Sequence, residues 1–172
     1  MHIVYMTVEF VTEKISGGLS TYVDNMARIM RRHGHQVTVI TLSHENGEFD
    51  YYNQIHVTRV KEDLQPNICF RTLCNSWRLK KALDKVIHQN KVDIVQAASL
   101  HAIGLFRSYS VPFIVRISSD NAVLRHADQY TFNLDKAMQE KTLFDRMELY
   151  AVSHADYAFA PSRCCAEIVS KR

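Results

Sequence analysis

The chain has 172 residues, 47% hydrophobic and 23% charged, with a formal net charge of +3. These values fit one globular core, are short for two, and exclude a wholly disordered chain. Charge this mild argues against nucleic acid, whose binders show a dense basic stripe, and three prolines with five glycines exclude collagenous and linker-like classes.

The first residues carry no basic n-region, and their apolar run is too short for a signal peptide. No stretch approaches the roughly 18 apolar residues of a membrane-spanning helix. Cys69, Cys74, Cys164 and Cys165 form no Cys-x-x-Cys pair and lack zinc-ligand spacing. They read as reduced thiols of a cytoplasmic protein, and no metal site is expected.

Residues 2–8 are a short apolar run with the look of a buried strand. Ser16-Gly17-Gly18-Leu19-Ser20 follows, then a helix to about residue 33 with Leu19, Tyr22, Val23, Met26, Ala27 and Met30 at helical spacing. Gly34 suits the left-handed position that ends a helix. Residues 36–41 read as a second strand. Asn46-Gly47 is a turn, and 49–52 with 55–60 are either a small hairpin or a third strand with a lead-in. Residues 75–90 are an amphipathic helix with Leu79, Leu83, Val86 and Ile87 on its apolar face. Strand four covers 92–96, a short helix 101–108, and strand five 112–117, with Pro112 at its tolerated first position. A polar connection, 118–133, leads to a long helix, 134–154. Residues 157–160 are a sixth strand, and Pro161-Ser162 opens a last helix.

Strands alternating with helices imply a mainly parallel sheet covered on both faces. The expected fold class is α/β, a three-layer Rossmann-like domain with a doubly wound sheet of order 3-2-1-4-5-6. Ligands of such sheets bind beyond the carboxyl ends of the strands, where the order reverses. That rule selects the loop 9–18, the loop 97–101, and the segment from Ser118 onward.

Gly17-Gly18 opens a helix, whose first N–H groups attract anions; the pair either serves a phosphate-bearing ligand or only makes the turn. The spacing is neither a dinucleotide fingerprint nor a P-loop. His33-Gly34-His35 reads as a helix end and strand start, not a metal pair. His101 falls at the switch point, as a ligand contact or a plain helix-start residue. Arg116, near the end of a buried strand, needs partners: Glu9, Glu140 or Glu148, or an anionic ligand. Ser118, Ser119, Asp120 and Asn121 are a polar cluster that suits hydroxyl-rich ligands but also resembles an ordinary loop. The basic stretch 71–91 contains Arg78, Lys81 and Lys85 and one acid, Asp84. It is either a solvated face or a contact for an anionic membrane surface.

Five segments in register resemble Glycosyltransferase Family 4. They are the first strand with Gly17-Gly18-Leu19-Ser20-Thr21-Tyr22-Val23; Arg32-His33-Gly34-His35-Gln36-Val37-Thr38-Val39; Val92-Asp93-Ile94-Val95-Gln96; Val111-Pro112-Phe113-Ile114-Val115-Arg116; and Ala155-Asp156-Tyr157-Ala158-Phe159-Ala160-Pro161-Ser162. Two departures stand out. Ser118 occupies the position where many members carry histidine, and Gln96-Ala97-Ala98 replaces a His-x-His.

The resemblance implies the N-terminal, acceptor-side half (1–172) of a two-domain enzyme whose C-terminal, donor-binding domain is absent from this chain. It implies retaining transfer of a hexose from a nucleotide diphosphate sugar to a hydroxyl acceptor, without a required metal or cofactor, in glycan, polysaccharide or glycolipid synthesis. Gly17, Gly18 and Leu19 would lie near the donor diphosphate. Glu9, Ser99, His101, Arg116, Ser118, Ser119 and Asp120 are the acceptor candidates, and no catalytic residue is assigned. The half alone is expected to be inactive. Rival readings are a stand-alone ligand-binding module and, disfavoured by the missing fingerprint, a nicotinamide-dependent oxidoreductase fragment.

Overall fold

A computed structural model describes residues 1–13, 17–117 and 143–170. Seven strands form one sheet: β1 (His2–Thr7), β2 (Gln36–Ser43), β3 (Gly47–Tyr51), β4 (Ile55–Lys61), β5 (Ile94–Ala98), β6 (Phe113–Arg116) and β7 (Tyr157–Phe159), in the order β3-β4-β2-β1-β5-β6-β7. All neighbours pair parallel except β3 with β4. The expected doubly wound order is present from β4 to β7. The open choice at 49–60 resolves as a hairpin, which adds one antiparallel edge strand. Its turn places Asn53 and Gln54 at φ 52° and 63°, the paired left-handed geometry that matches strand twist.

Every residue of β1 is buried, because the sheet is covered on both sides. Successive side chains alternate between two cores. Ile3 and Tyr5 pack with Val23 and Ala27 of α1 (Gly18–Arg32). Val4 and Met6 pack with Leu79 and Leu83 of α2 (Ile68–Gln89). Helix α3 (Leu143–Ser153) shares the α2 side through Val152, and α4 (Arg163–Ser170) follows β7.

The end of α1 follows its sequence signal. Gly34 has φ 81°, and the N–H groups of Gly34 and His35 donate to the carbonyls of Arg31 and Met30 at 3.1 Å each.

Two helices depart from expectation. Helix α2 begins at Ile68 rather than 75, because Asn67 caps it by accepting from the Phe70 N–H at 3.0 Å. The added turns carry Ile68, Phe70 and Leu73 on exposed surface, so they break the inward apolar pattern. The expected helix 101–108 is replaced by a short 3-10 turn, Leu100–Ala102. His101 and Ala102 sit at φ 58° and 47°, which a right-handed helix cannot accommodate. The expected connection 118–133 and the first part of the helix 134–154 lie outside the described residues.

Two motif aspartates prove to be strand clamps. Asp93 Oδ2 accepts from His2 N–H at 2.8 Å, and the Asp93 N–H donates to the His2 carbonyl at 3.0 Å. Asp156 repeats the device on Phe113, at 2.8 and 3.0 Å. Each locks the start of a parallel strand to the segment that leads into its neighbour. Among the described residues no helix is long and apolar enough to cross a membrane.

Candidate active-site crevice

Strands β1 and β5 are neighbours, with Met6 opposite Ala97, so the loops after them leave the sheet side by side at its carboxyl end. The glycine loop and the 97–101 connection therefore flank one crevice, at the predicted reversal of strand order. Strand β6 brings Arg116 beside Ala98 at the same edge.

Glu9 reaches the start of α1. Its Oε1 accepts from the backbone N–H of Gly17 at 3.1 Å and of Ser20 at 3.2 Å. An anion does occupy this helix start, as the positive end of the dipole favours, but it is the protein's own carboxylate. Glu9, expected to face an acceptor, is thus turned toward its own helix. The N–H groups of Gly18 and Leu19 keep no hydrogen-bond partner among the described residues. A Cβ built on Gly18 would meet nothing within 4 Å, so a ligand can approach that backbone closely. The Leu19 side chain packs inward against both cores, leaving only its N–H for a ligand.

Arg116 lies with its guanidinium carbon 3.9 Å from the centre of the Tyr22 ring. The Tyr22 hydroxyl in turn meets the Gln96 amide, with Nε2 donating at 3.2 Å. The expected carboxylate partners resolve differently. Glu9 serves α1, Glu148 accepts from the His101 N–H at 3.0 Å, and Glu140 lies outside the described residues. Arg116 has a ring beneath it and no carboxylate among the described residues. A guanidinium held over an aromatic ring, and not paired with a carboxylate, keeps N–H donors available for phosphate or carboxylate. The sequence reading missed Tyr22 and Gln96. The helical spacing places Tyr22 on the apolar stripe of α1; its position in the turn after the glycine pair is the signal that points to the site.

His101 is exposed, with its imidazole 6.1 Å from the Phe144 ring. Crowding by surrounding atoms, then the charge of Arg71, holds the imidazole pKa below its ordinary value. The ring is therefore neutral at pH 7, able to donate and accept one hydrogen bond. Its left-handed backbone, anchored by Glu148, is strain of the sort that collects at functional sites. Ser99 is fully buried, and its N–H ties β5 to β6 by donating to the Arg116 carbonyl at 3.0 Å. Ser118, Ser119 and Asp120 lie outside the described residues. Among the described residues no three His, Cys, Asp or Glu side chains converge in a way that could hold a metal ion.

Residues 16–172 match the model of Glycosyltransferase Family 4, through the glycine loop, α1 and all the later strands. The chain belongs to that family. A search of curated proteins finds no match. Among solved structures, one similar chain is a UGT transferase from Siraitia grosvenorii, crystallised in complex with UDP. It is 15% identical with a TM-score of 0.48, over 79% of this chain and 32% of that one. The present chain thus spans about a third of the length of that neighbour.

In this glycosyltransferase-family domain the described crevice offers three kinds of group. They are backbone donors at a helix start, a cation on an aromatic platform, and a neutral imidazole with an amide–phenol pair. Such a set has the chemistry to hold an anionic, hydroxyl-rich ligand by positioning and charge. It presents no activated nucleophile among the described residues.

Proposed function

We propose that this domain is the acceptor-side half of a retaining glycosyltransferase that moves a hexose from a nucleotide diphosphate sugar to a hydroxyl acceptor. The observation that carries the reading is Arg116, laid on Tyr22 at the crevice edge in a chain of this family. The N–H groups of Gly18 and Leu19 act beside it. The leaving diphosphate gathers negative charge in the transition state, and fixed donors aimed at it lower the barrier without reorganising. His101 and Gln96 orient the acceptor hydroxyl, and orientation is the other main source of acceleration. No cofactor or metal is required in this reading. The pathway is glycan, polysaccharide or glycolipid synthesis in the cytoplasm.

A crevice with one wall leaves most of a sugar nucleotide in water, so tight binding needs a second, donor-holding domain. The test is calorimetry with common sugar nucleotides, paired with a turnover assay, on residues 1–172 and on a protein that joins them to such a domain. The expected result is weak binding and no transfer by the 172 residues alone, and both activities in the joined protein. Tight binding or transfer by the 172 residues alone overturns the half-enzyme reading. Binding of a nicotinamide cofactor instead of a sugar nucleotide overturns the transferase reading.

A further inference from the structure

Helices α2 and α3 lie on the same side of the sheet, and their outer faces carry matching stripes. Phe70, Leu73 and Trp77 follow the i, i+3, i+7 spacing on α2, and Leu143, Arg146 and Tyr150 follow it on α3. All six point to solvent, with Trp77 45% and Leu143 63% exposed. Between the stripes runs an apolar trough of about 580 Å3, lined by Leu73, Phe106, Tyr109 and Leu143. Tyr109 stands on its rim, 76% exposed. A run of large apolar side chains this continuous marks an interaction surface rather than ordinary exposure.

The charges of the rim identify what covers it. Lys80 is bound by Asp84, and Arg107 by Asp156 at 3.0 Å. Lys81, with Nζ 5.6 Å from the Trp77 ring, and Arg146 have no carboxylate partner among the described residues. Among the described residues the uncompensated charge of the patch is therefore positive. The cores of protein–protein interfaces are depleted in lysine, whereas bilayer surfaces favour Trp and Tyr at headgroup depth with Lys and Arg beside them. Long cationic side chains lay their stems on the acyl region and keep their charges at the phosphates.

We propose that the outer α2–α3 face docks on an anionic lipid bilayer, with Phe70, Leu73, Trp77 and Leu143 entering the headgroup–acyl boundary and Lys81 and Arg146 meeting lipid phosphates. Of the basic residues of α2 marked by sequence, only Lys81 borders the docking face, beside Trp77 and at the edge of the groove that Arg78 and Lys85 line. There Arg78 is bound by Asp63 at 3.0 Å and Lys85 by Glu48 at 2.8 Å, in an open groove against β3 and β4. The docked face also adjoins the crevice: Ile68 and Arg71, at the start of α2, line a small cavity with His101. Docking would hold that loop close to the bilayer, where a lipid-borne acceptor is presented.

Trp77 is the only tryptophan of the chain, so its emission reports the docking directly. The chain is mixed with vesicles of phosphatidylcholine alone or with phosphatidylglycerol added. Expected is flotation with the anionic vesicles, a blue shift of Trp77 emission, and quenching by brominated acyl chains. The double variant F70S/L73S should lower the bound fraction at least tenfold, and K81E/R146E should remove the preference for anionic vesicles. K85A should bind as the parent does. No flotation, equal binding to both vesicle types, or unshifted Trp77 emission overturns the proposal. So does light scattering that finds a dimer with Trp77 buried in it. The proposal is independent of the sugar-nucleotide reading: a chain that floats, but that neither binds nor transfers from a sugar nucleotide once joined to a donor-holding domain, overturns that reading and leaves the docking face in place.

Discussion

The carboxylate of Glu9 accepts a hydrogen bond from the Gly17 backbone N–H at 3.1 Å, and so ties the end of β1 to the start of α1. The same oxygen serves Ser20. Gly17, the N-cap residue, has no side chain to do this, so the cap comes from eight residues earlier. Glu9→Ala should cost about 1 kcal/mol of stability, the usual worth of a capping side chain. Glu9→Gln keeps an acceptor oxygen and should lose less. Urea denaturation of the three proteins checks the order; equal midpoints would show that the contact contributes nothing.

The two loop glycines should respond differently to alanine. A Cβ on Gly17 would sit 3.0 Å from Glu9 Oε1, and the carboxylate would have to shift by a few tenths of an ångström. Gly18 is open and lies in helix, where alanine is the better residue. Gly17→Ala is therefore expected to lower the urea midpoint. Gly18→Ala should keep or raise it while weakening sugar-nucleotide binding in the two-domain protein, because its methyl fills the space a phosphate would approach. Unchanged ligand affinity in Gly18→Ala would remove the glycine from the donor site.

Arg116 is a cation displayed toward the crevice and not used in an ion pair among the described residues. Arg116→Met should leave thermal stability nearly unchanged and weaken anionic-ligand binding by about tenfold to a hundredfold, the equivalent of one charge-assisted hydrogen bond of roughly 1.5–3 kcal/mol. Arg116→Lys should recover only part, since an ammonium cannot offer the planar fork or stack as well on Tyr22. Calorimetry reads the affinity and a thermal melt the stability. A large loss of stability with no change in affinity would make the residue structural.

Glu13 supplies a pH dependence whose sign can be worked out. Burial disfavours its charged form, but hydrogen bonds from Ser43 at 2.7 Å and Arg59 at 2.8 Å outweigh it and hold the pKa below the ordinary 4.5. A depressed carboxylate pKa means that the folded state binds the proton less readily than the unfolded one. The stabilisation is complete above 4.5 and is lost as pH falls through the lower folded value. Urea midpoints taken from pH 6 down to 3 should fall in the parent and fall less in Glu13→Gln. Parallel curves for the two proteins would exclude Glu13 as a source of the acid sensitivity.

Some of this molecule is determined by sequence alone. Buried β-rich runs, Gly34 after an amphipathic helix, and alternation of period-2 with period-3.6 segments specify a parallel, doubly covered sheet, because each is a local consequence of backbone sterics and apolar burial. The rule that ligands sit where strand order reverses then selects Gly17, Gly18, His101 and Arg116 without coordinates. Other features needed the chain folded. Only pairing of β1 with β5 and of β5 with β6 brings Gln96 and Arg116 within reach of Tyr22 at the start of α1; residues 22, 96 and 116 have no local relation that a spacing could reveal. Glu9 read as a crevice acid becomes a helix cap because the chain turns back within hydrogen-bond reach. The exposed first turns of α2 were invisible for the opposite reason. Their apolar residues face outward, and a periodicity test assumes that apolar means inward. Composition and spacing carry interactions between near neighbours, whereas a long-range contact exists only after two distant segments have been brought to the same edge of a sheet.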